Sequence, residues 1–129
     1  MKNTHTFTND VTIVNTTPHP ITFWDEGDEA LVTIPSDSDY VINAKVEEAV
    51  VNKGGIELVT PKFIPCEEGY SIINRIHKEC GKEVIIIGSI LAAQSYPGLV
   101  YGMVPCIGYE RVAPAEKRMR CDKFTTYGA

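Results

Sequence analysis

The chain reads as an α+β protein: an N-terminal antiparallel β-sheet followed by a β/α C-terminal half with two helices. Three observations predict this. Short β-branched segments separated by turn residues fill roughly the first half of the chain. After Pro65, the residues Tyr70, Ile73, Ile76, His77 and Cys80 recur at helical spacing. The apolar run Val84-Ile85-Ile86-Ile87 then meets an alanine-rich segment through Gly88-Ser89, the pattern of a buried strand feeding a helix.

Taken in order, residues 8–15 alternate well enough for one strand. Pro18 and Pro20 end it, because proline cannot donate to a central ladder. Residues 21–24 form a second strand, the acidic turn Asp25-Glu26-Gly27-Asp28 follows, and residues 30–34 form a third. Residues 40–51 are ambiguous: the β-branched content suggests a long strand, while Glu47-Glu48-Ala49 suits a helix. Asn52-Lys53-Gly54-Gly55 is a strong turn before the alternating residues 56–59, so a hairpin is expected here. The helix after Pro65 opens on Glu67-Glu68, carries Lys78 near its end as the helix dipole prefers, and stops at Gly81. A strand over residues 82–87, a helix over 89–95 ended by Pro97-Gly98, and a strand over 99–104 complete the half. The tail 108–129 reads as mostly irregular, with a short helix at 114–119.

At 129 residues, 43% of them hydrophobic, the chain is expected to form a single domain over residues 1–129. Its longest apolar stretch is broken by Gly88-Ser89 and is too short for a bilayer, and the N-terminus carries no signal-peptide core. A cytoplasmic protein without a membrane partner is expected. Cys66, Cys80, Cys106 and Cys121 contain no C-x-x-C pair and are expected to be free thiols, with no metal or cofactor. The net charge of −5 divides into −7 over residues 1–59 and +2 over residues 60–129. All four arginines (Arg75, Arg111, Arg118, Arg120) lie in the second part. This balance argues against duplex nucleic acid, which needs a broad basic face, and leaves room for a small anion held by local arginines.

Three constellations carry candidate chemistry. At Gly88-Ser89, free backbone N–H groups at a helix start would bind a phosphate; alternatively, Gly88 makes the turn and Ser89 caps the helix. From Gly108 to Arg120, Arg111, Lys117, Arg118 and Arg120 sit beside Tyr109. Arginine offers a planar fork for phosphate oxygens and stacks on rings, and Tyr96, Tyr109 and Phe124 would supply stacking faces. The plainer alternative is neutralisation by Glu110 and Glu116 in surface pairs, which are worth little. Gln94 and Ser95 would bond a base edge or ribose, or cap a helix end. The adjacent alanines would allow close packing, including against another subunit. His5, His19 and His77 are scattered, and no Ser/His/Asp order, H-E-x-x-H or G-x-S-x-G occurs. Asp25, Glu26, Asp28 and Glu29 are expected to belong to a hairpin turn, with a bound cation as the other reading.

Several blocks resemble a known family. They are Asn15-Thr16-Thr17-Pro18-His19-Pro20-Ile21 with Ile34-Pro35-Ser36, the segment from Ile87 to Gly98, and the segment from Glu110 to Met119. Together they are similar to the first Thoeris anti-defence family of bacteriophages. The resemblance implies a sponge acting in the host cytoplasm. Such proteins capture cyclic ADP-ribose isomers, of the glycocyclic type, made by bacterial TIR-domain enzymes, and do not cleave them. It also implies a homo-oligomer and, as in some members, cyclic oligonucleotides bound at a separate site. No ligand contact carries over residue by residue. The candidate ligand-binding residues, chosen by chemistry within the matching blocks, are Gly88, Ser89, Gln94, Tyr96, Tyr109, Arg111, Lys117, Arg118, Arg120 and Phe124. No catalytic residue is expected. Two other classes stay open: an enzyme acting on a small nucleotide through His77, His19 or a carboxylate, and a phage interaction or structural protein whose basic tail meets an acidic partner.

Overall fold

Strand alternation decides how this chain is layered. The computed structural model describes residues 1–128. Strands β1 (Thr4–Thr6) and β2 (Thr12–Asn15) pair antiparallel, and β2 pairs in parallel with β7 (Ile85–Ile87). Val14 and Ile86 point to one side of this sheet. There they pack with Ile72, Ile73 and Ile76 of α1 (Glu67–Cys80) and Ala92 and Ala93 of α2 (Ile90–Ser95). Ile13, Ile85 and Ile87 point the other way, onto Phe7, Phe23, Ile34 and Cys121 of the second cluster. Both faces of β7 are therefore covered, which is why it is apolar throughout.

The second sheet runs β4-β3-β9-β8, with β3 (Ile21–Asp25), β4 (Ala30–Ile34), β8 (Gly102–Pro105) and β9 (Met119–Thr125). β3 pairs antiparallel with β4 and in parallel with β9. Its inner face (Ile21, Phe23, Val32, Ile34, Met119) joins the second cluster. Its outer face carries Thr22, Trp24, Leu31 and Thr33, opposite one another in the register. The α+β class holds, with antiparallel strands first and the helices in the C-terminal half. Chain order does not separate the two larger sheets, since both receive strands from both halves.

A separate hairpin joins β5 (Lys45–Lys53) to β6 (Ile56–Ile64) across Gly54 (φ 58°) and Gly55 (φ 85°). Two consecutive positive φ values define the type I′ turn that matches strand twist, and glycine adopts them without Cβ strain. The ambiguous residues 40–51 are thus resolved: Tyr40 ends a 3₁₀ turn (Ser38–Tyr40), and the strand begins at Lys45.

Several boundaries differ from expectation: the strands expected at 82–87 and 99–104 start three residues later, as Ile85–Ile87 and Gly102–Pro105, and three other differences are larger. Residues 8–15 are not one strand. The chain turns at Asp10 (φ 67°), where Phe7 N–H donates to Val11 O at 2.9 Å, and β1 lies before it. Aspartate tolerates the left-handed region better than most residues. The helix expected at 114–119 shrinks to a 3₁₀ turn, Pro114–Glu116. The tail is irregular only in part: β9 occupies Met119–Thr125 in the middle of a sheet, and residue 129 lies outside the described residues. A register shift between Met103 and Pro105 bulges this pairing, so Met119 and Cys121 face inward and then Phe124 does. That change of parity hides the two-residue period.

One buried polar knot ties the layers together. The Asn15 side-chain amide donates to His19 O (2.8 Å), Ile34 O (3.1 Å) and Pro35 O (3.3 Å). Its Oδ1 accepts from Thr17 N (2.9 Å) and Thr17 Oγ1 (2.7 Å). Thr16 Oγ1 donates to Ile87 O at 2.7 Å, and Ser36 Oγ to Thr17 O at 2.8 Å. The two N-terminal blocks that carry the family resemblance are therefore one structural feature.

Candidate functional site

The outer face of β3 and β4 is bordered by the segment running from Tyr109 into β9. Between them lies an open cleft of about 610 Å³, walled by Thr22, Leu31 and Thr33 on one side and Tyr109, Lys117 and Arg118 on the other. Thr22 and Thr33 are directly opposite in the register, and their hydroxyls meet at 2.8 Å. The Arg118 guanidinium lies 4.2 Å from the centre of the Tyr109 ring and 5.6 Å from that of Trp24. Stacking of this kind holds a cation in place while leaving the edges of the guanidinium plane for an anion. Arg118 Nε is buried and has no hydrogen-bond partner among the described residues.

The alternative of neutralisation by Glu110 and Glu116 finds no ion pair with either carboxylate among the described residues. Among the described residues the ion pair is Arg120–Asp122, where Nε meets Oδ1 at 2.8 Å. Glu110 instead accepts from Gly108 N–H at 2.9 Å, and Glu116 lines the cleft without closing an ion pair. Lys117 and Arg118 thus face the opening with one carboxylate nearby.

The ten candidate ligand residues do not converge. Tyr109, Lys117 and Arg118 line the cleft, and Arg111 is exposed on the same segment. Arg120 is engaged with Asp122 and borders a separate cavity of about 340 Å³ against Trp24, Glu26 and Ile107. Phe124 packs on the second core cluster, which removes it as a free stacking face. Gly88, Ser89, Gln94 and Tyr96 sit in the helical layer, on the far side of both sheets.

The helix-start reading is corrected by what the backbone does there. Gly88 N–H already donates to Tyr101 O at 3.1 Å, and Ser89 Oγ caps the helix by accepting from Ala92 N–H at 3.1 Å. Gly88 is required for packing, since a Cβ there would lie 2.7 Å from Val100 Cγ1. Gln94 is exposed. Tyr96 is fully buried and offers no face to a ligand. Its hydroxyl accepts from Cys66 N–H at 2.9 Å, and burial pushes its pKa up to about 12.

Two features escaped the sequence reading. Trp24 stacks on Arg118, and the alternation of residues 21–24, which puts Trp24 on the outer face with Thr22, was the signal for it. Cys66 stands out among the thiols. The Tyr96 hydroxyl and backbone N–H groups at the start of α1 hold it below the usual thiol range, whereas burial raises Cys80, Cys106 and Cys121. No side-chain cluster suited to a metal ion, and no helix long and apolar enough to cross a membrane, occurs among the described residues. No protein-family model, curated protein or solved structure matches this chain.

Proposed function

We propose that the chain is a non-enzymatic phage sponge that sequesters cyclic ADP-ribose-type nucleotides made by TIR-domain enzymes, and so blocks host anti-phage defence. The observation that carries this reading is Arg118, stacked over Tyr109 at 4.2 Å with an unpartnered buried Nε, beside Lys117 at the mouth of a 610 Å³ cleft. A pyrophosphate takes up two such cations, and the Thr22–Thr33 hydroxyl pair, bonded to each other, has one free neutral donor for a ribose or phosphate oxygen. The cleft volume lies within the usual range for sites that take a small ligand. Sequestration needs slow release and no proton shuttle. The earlier ten-residue site narrows to Tyr109, Lys117 and Arg118, with Trp24, Thr22 and Thr33 added.

Calorimetry with cyclic ADP-ribose isomers, linear ADP-ribose and AMP tests the reading. After binding, heating the protein and weighing the released ligand by mass spectrometry separates sponge from enzyme. Tight binding with intact ligand returned is expected. A hydrolysed product means an enzyme, and no heat with any member of the panel removes the nucleotide reading.

A further inference from the structure

Two cavities meet at Trp24, and they are oppositely charged. The cleft of about 610 Å³ has Lys117 and Arg118 against Glu116. The cavity of about 340 Å³ has Asp25, Glu26 and Asp122 against Arg120. Trp24 lines the smaller cavity, yet its register partner on β4 is Leu31 and its ring lies 5.6 Å from the Arg118 guanidinium. Leu31 and Arg118 both wall the cleft. The indole is thus the partition between a cationic and an acidic compartment.

A ring on an open sheet face has several rotamers to choose from. Glu26 selects one of them, because the Trp24 Nε1–H donates to Glu26 Oε2 at 3.0 Å. The turn that carries Glu26 is itself anchored. Asp25 Oδ1 accepts from Gly27 N–H at 3.2 Å, and its Oδ2 accepts from Thr8 N–H at 3.1 Å. In this rotamer the indole backs Arg118, which also stacks on Tyr109 at 4.2 Å. Glu26 lines no part of the cleft and acts there only through the ring.

We propose that Trp24, latched by Glu26, makes the cleft choose a compact cyclic ADP-ribose over its extended relative NAD+; the inference rests on the nucleotide reading above. The two ligands share an ADP-ribose unit. In the cyclic isomers that unit folds back on itself, and one cleft holds it. In NAD+ the chain runs on to a cationic nicotinamide. Three carboxylates against one arginine, beyond the partition, set up a field that attracts such a cation. The ring denies the contact, so the nicotinamide stays in water and NAD+ gains only what the shared unit gives. Withholding a contact from the wrong ligand is how a site separates two molecules with a common binding group. A sponge needs this discrimination. A cyclic ADP-ribose forms from NAD+ by loss of nicotinamide, so both are present wherever the signal is made.

Calorimetry of the full chain with NAD+ and with the tightest-binding cyclic ADP-ribose isomer tests this, read as the ratio of the two Kd values. Trp24→Ala should cut the wild-type preference for the cyclic ligand about tenfold, mostly through tighter NAD+ binding. Trp24→Phe keeps a ring but has no N–H for the latch, and should cut it about threefold. Glu26→Ala should match Trp24→Phe. Glu26→Gln, whose amide oxygen still accepts from Nε1, should keep the wild-type ratio. Trp24 is the chain's single tryptophan, so acrylamide quenching without ligand reads the latch directly: stronger in Glu26→Ala, unchanged in Glu26→Gln. A ratio unmoved by both Trp24 variants overturns the proposal. So does a wild type that binds NAD+ as tightly as the cyclic ligand, or a glutamine variant that behaves like the alanine one; each of these leaves the nucleotide reading standing. A wild type that binds neither ligand defeats that reading, and this inference with it.

Discussion

Replacing Asn15 by alanine should be among the most damaging single changes in this chain, although Asn15 lines no part of the cleft and is not itself a member of either hydrophobic cluster. The side chain is fully buried, joins three carbonyls and accepts from both donors of Thr17. Thr17 Oγ1 has a second acceptor in His19 O at 2.9 Å, so truncation leaves Thr17 N–H as the clearly orphaned donor. One orphaned buried donor costs ~1–3 kcal/mol and the two amide hydrogens shared among the three carbonyls ~1 kcal/mol each, which sums to roughly 3–5 kcal/mol. For a domain of this size that lowers Tm by about 10 °C and the urea midpoint by about 2 M at unchanged m-value. Asn15→Asp sharpens the test. It keeps the acceptor but turns a second oxygen toward three carbonyls, which raises the folded-state pKa of the new carboxyl. The variant should therefore be closest to wild type below the ordinary carboxylate pKa, where a proton can still be donated, and lose stability as pH rises through the raised value. An alanine variant shifted by less than about 0.3 M urea, or an aspartate variant whose penalty ignores pH, would refute the role given to this knot.

Three further outcomes follow from the site and its surroundings. Arg118→Ala should weaken nucleotide binding about 10- to 100-fold in calorimetry with unchanged thermal stability, while Arg120→Ala, whose partner is Asp122, should change it less than threefold; the reverse order would move the site to the smaller cavity. Tyr96 is neutral in the fold with its pKa raised to about 12, so its contribution is complete below pH 10 and is lost as pH rises toward 12. Tyr96→Phe should be less stable than wild type at pH 8, and the gap should narrow in alkali; a constant gap would contradict that. Among the four thiols, Cys66 should be alkylated first by iodoacetamide in peptide mapping at pH 7, because its thiolate is the one stabilised; equal rates would argue against the helix-start geometry.

The block around Asn15 shows how a motif can be legible without its meaning being so. Its spacing stood out beside Ile34-Pro35-Ser36, but only the fold shows that the two segments meet and bond to one another. Within the site, the stacking of Arg118 on Tyr109 joins residues close in sequence, and the chemistry of that segment announced it. Trp24 and the threonine wall are about ninety residues away in the chain, brought in by parallel pairing of β3 with β9. Tyr96 and Phe124 were plausible ring faces by residue type, and burial alone removed them from the list.

Local physics determined much of the architecture in advance. The amphipathic period of α1, the I′ turn at Gly54-Gly55, the apolar run of β7 and the antiparallel pairing of β3 with β4 all follow from side-chain spacing and turn chemistry. Such short-range signals persist whatever else the chain contacts. Tertiary structure decided what depends on distant partners. Those are the strand hidden in the tail by a bulge, the interleaving of both halves in the two larger sheets, and which aromatic rings keep an open face. A residue's burial is set by segments far along the chain, and no window of neighbouring residues contains them.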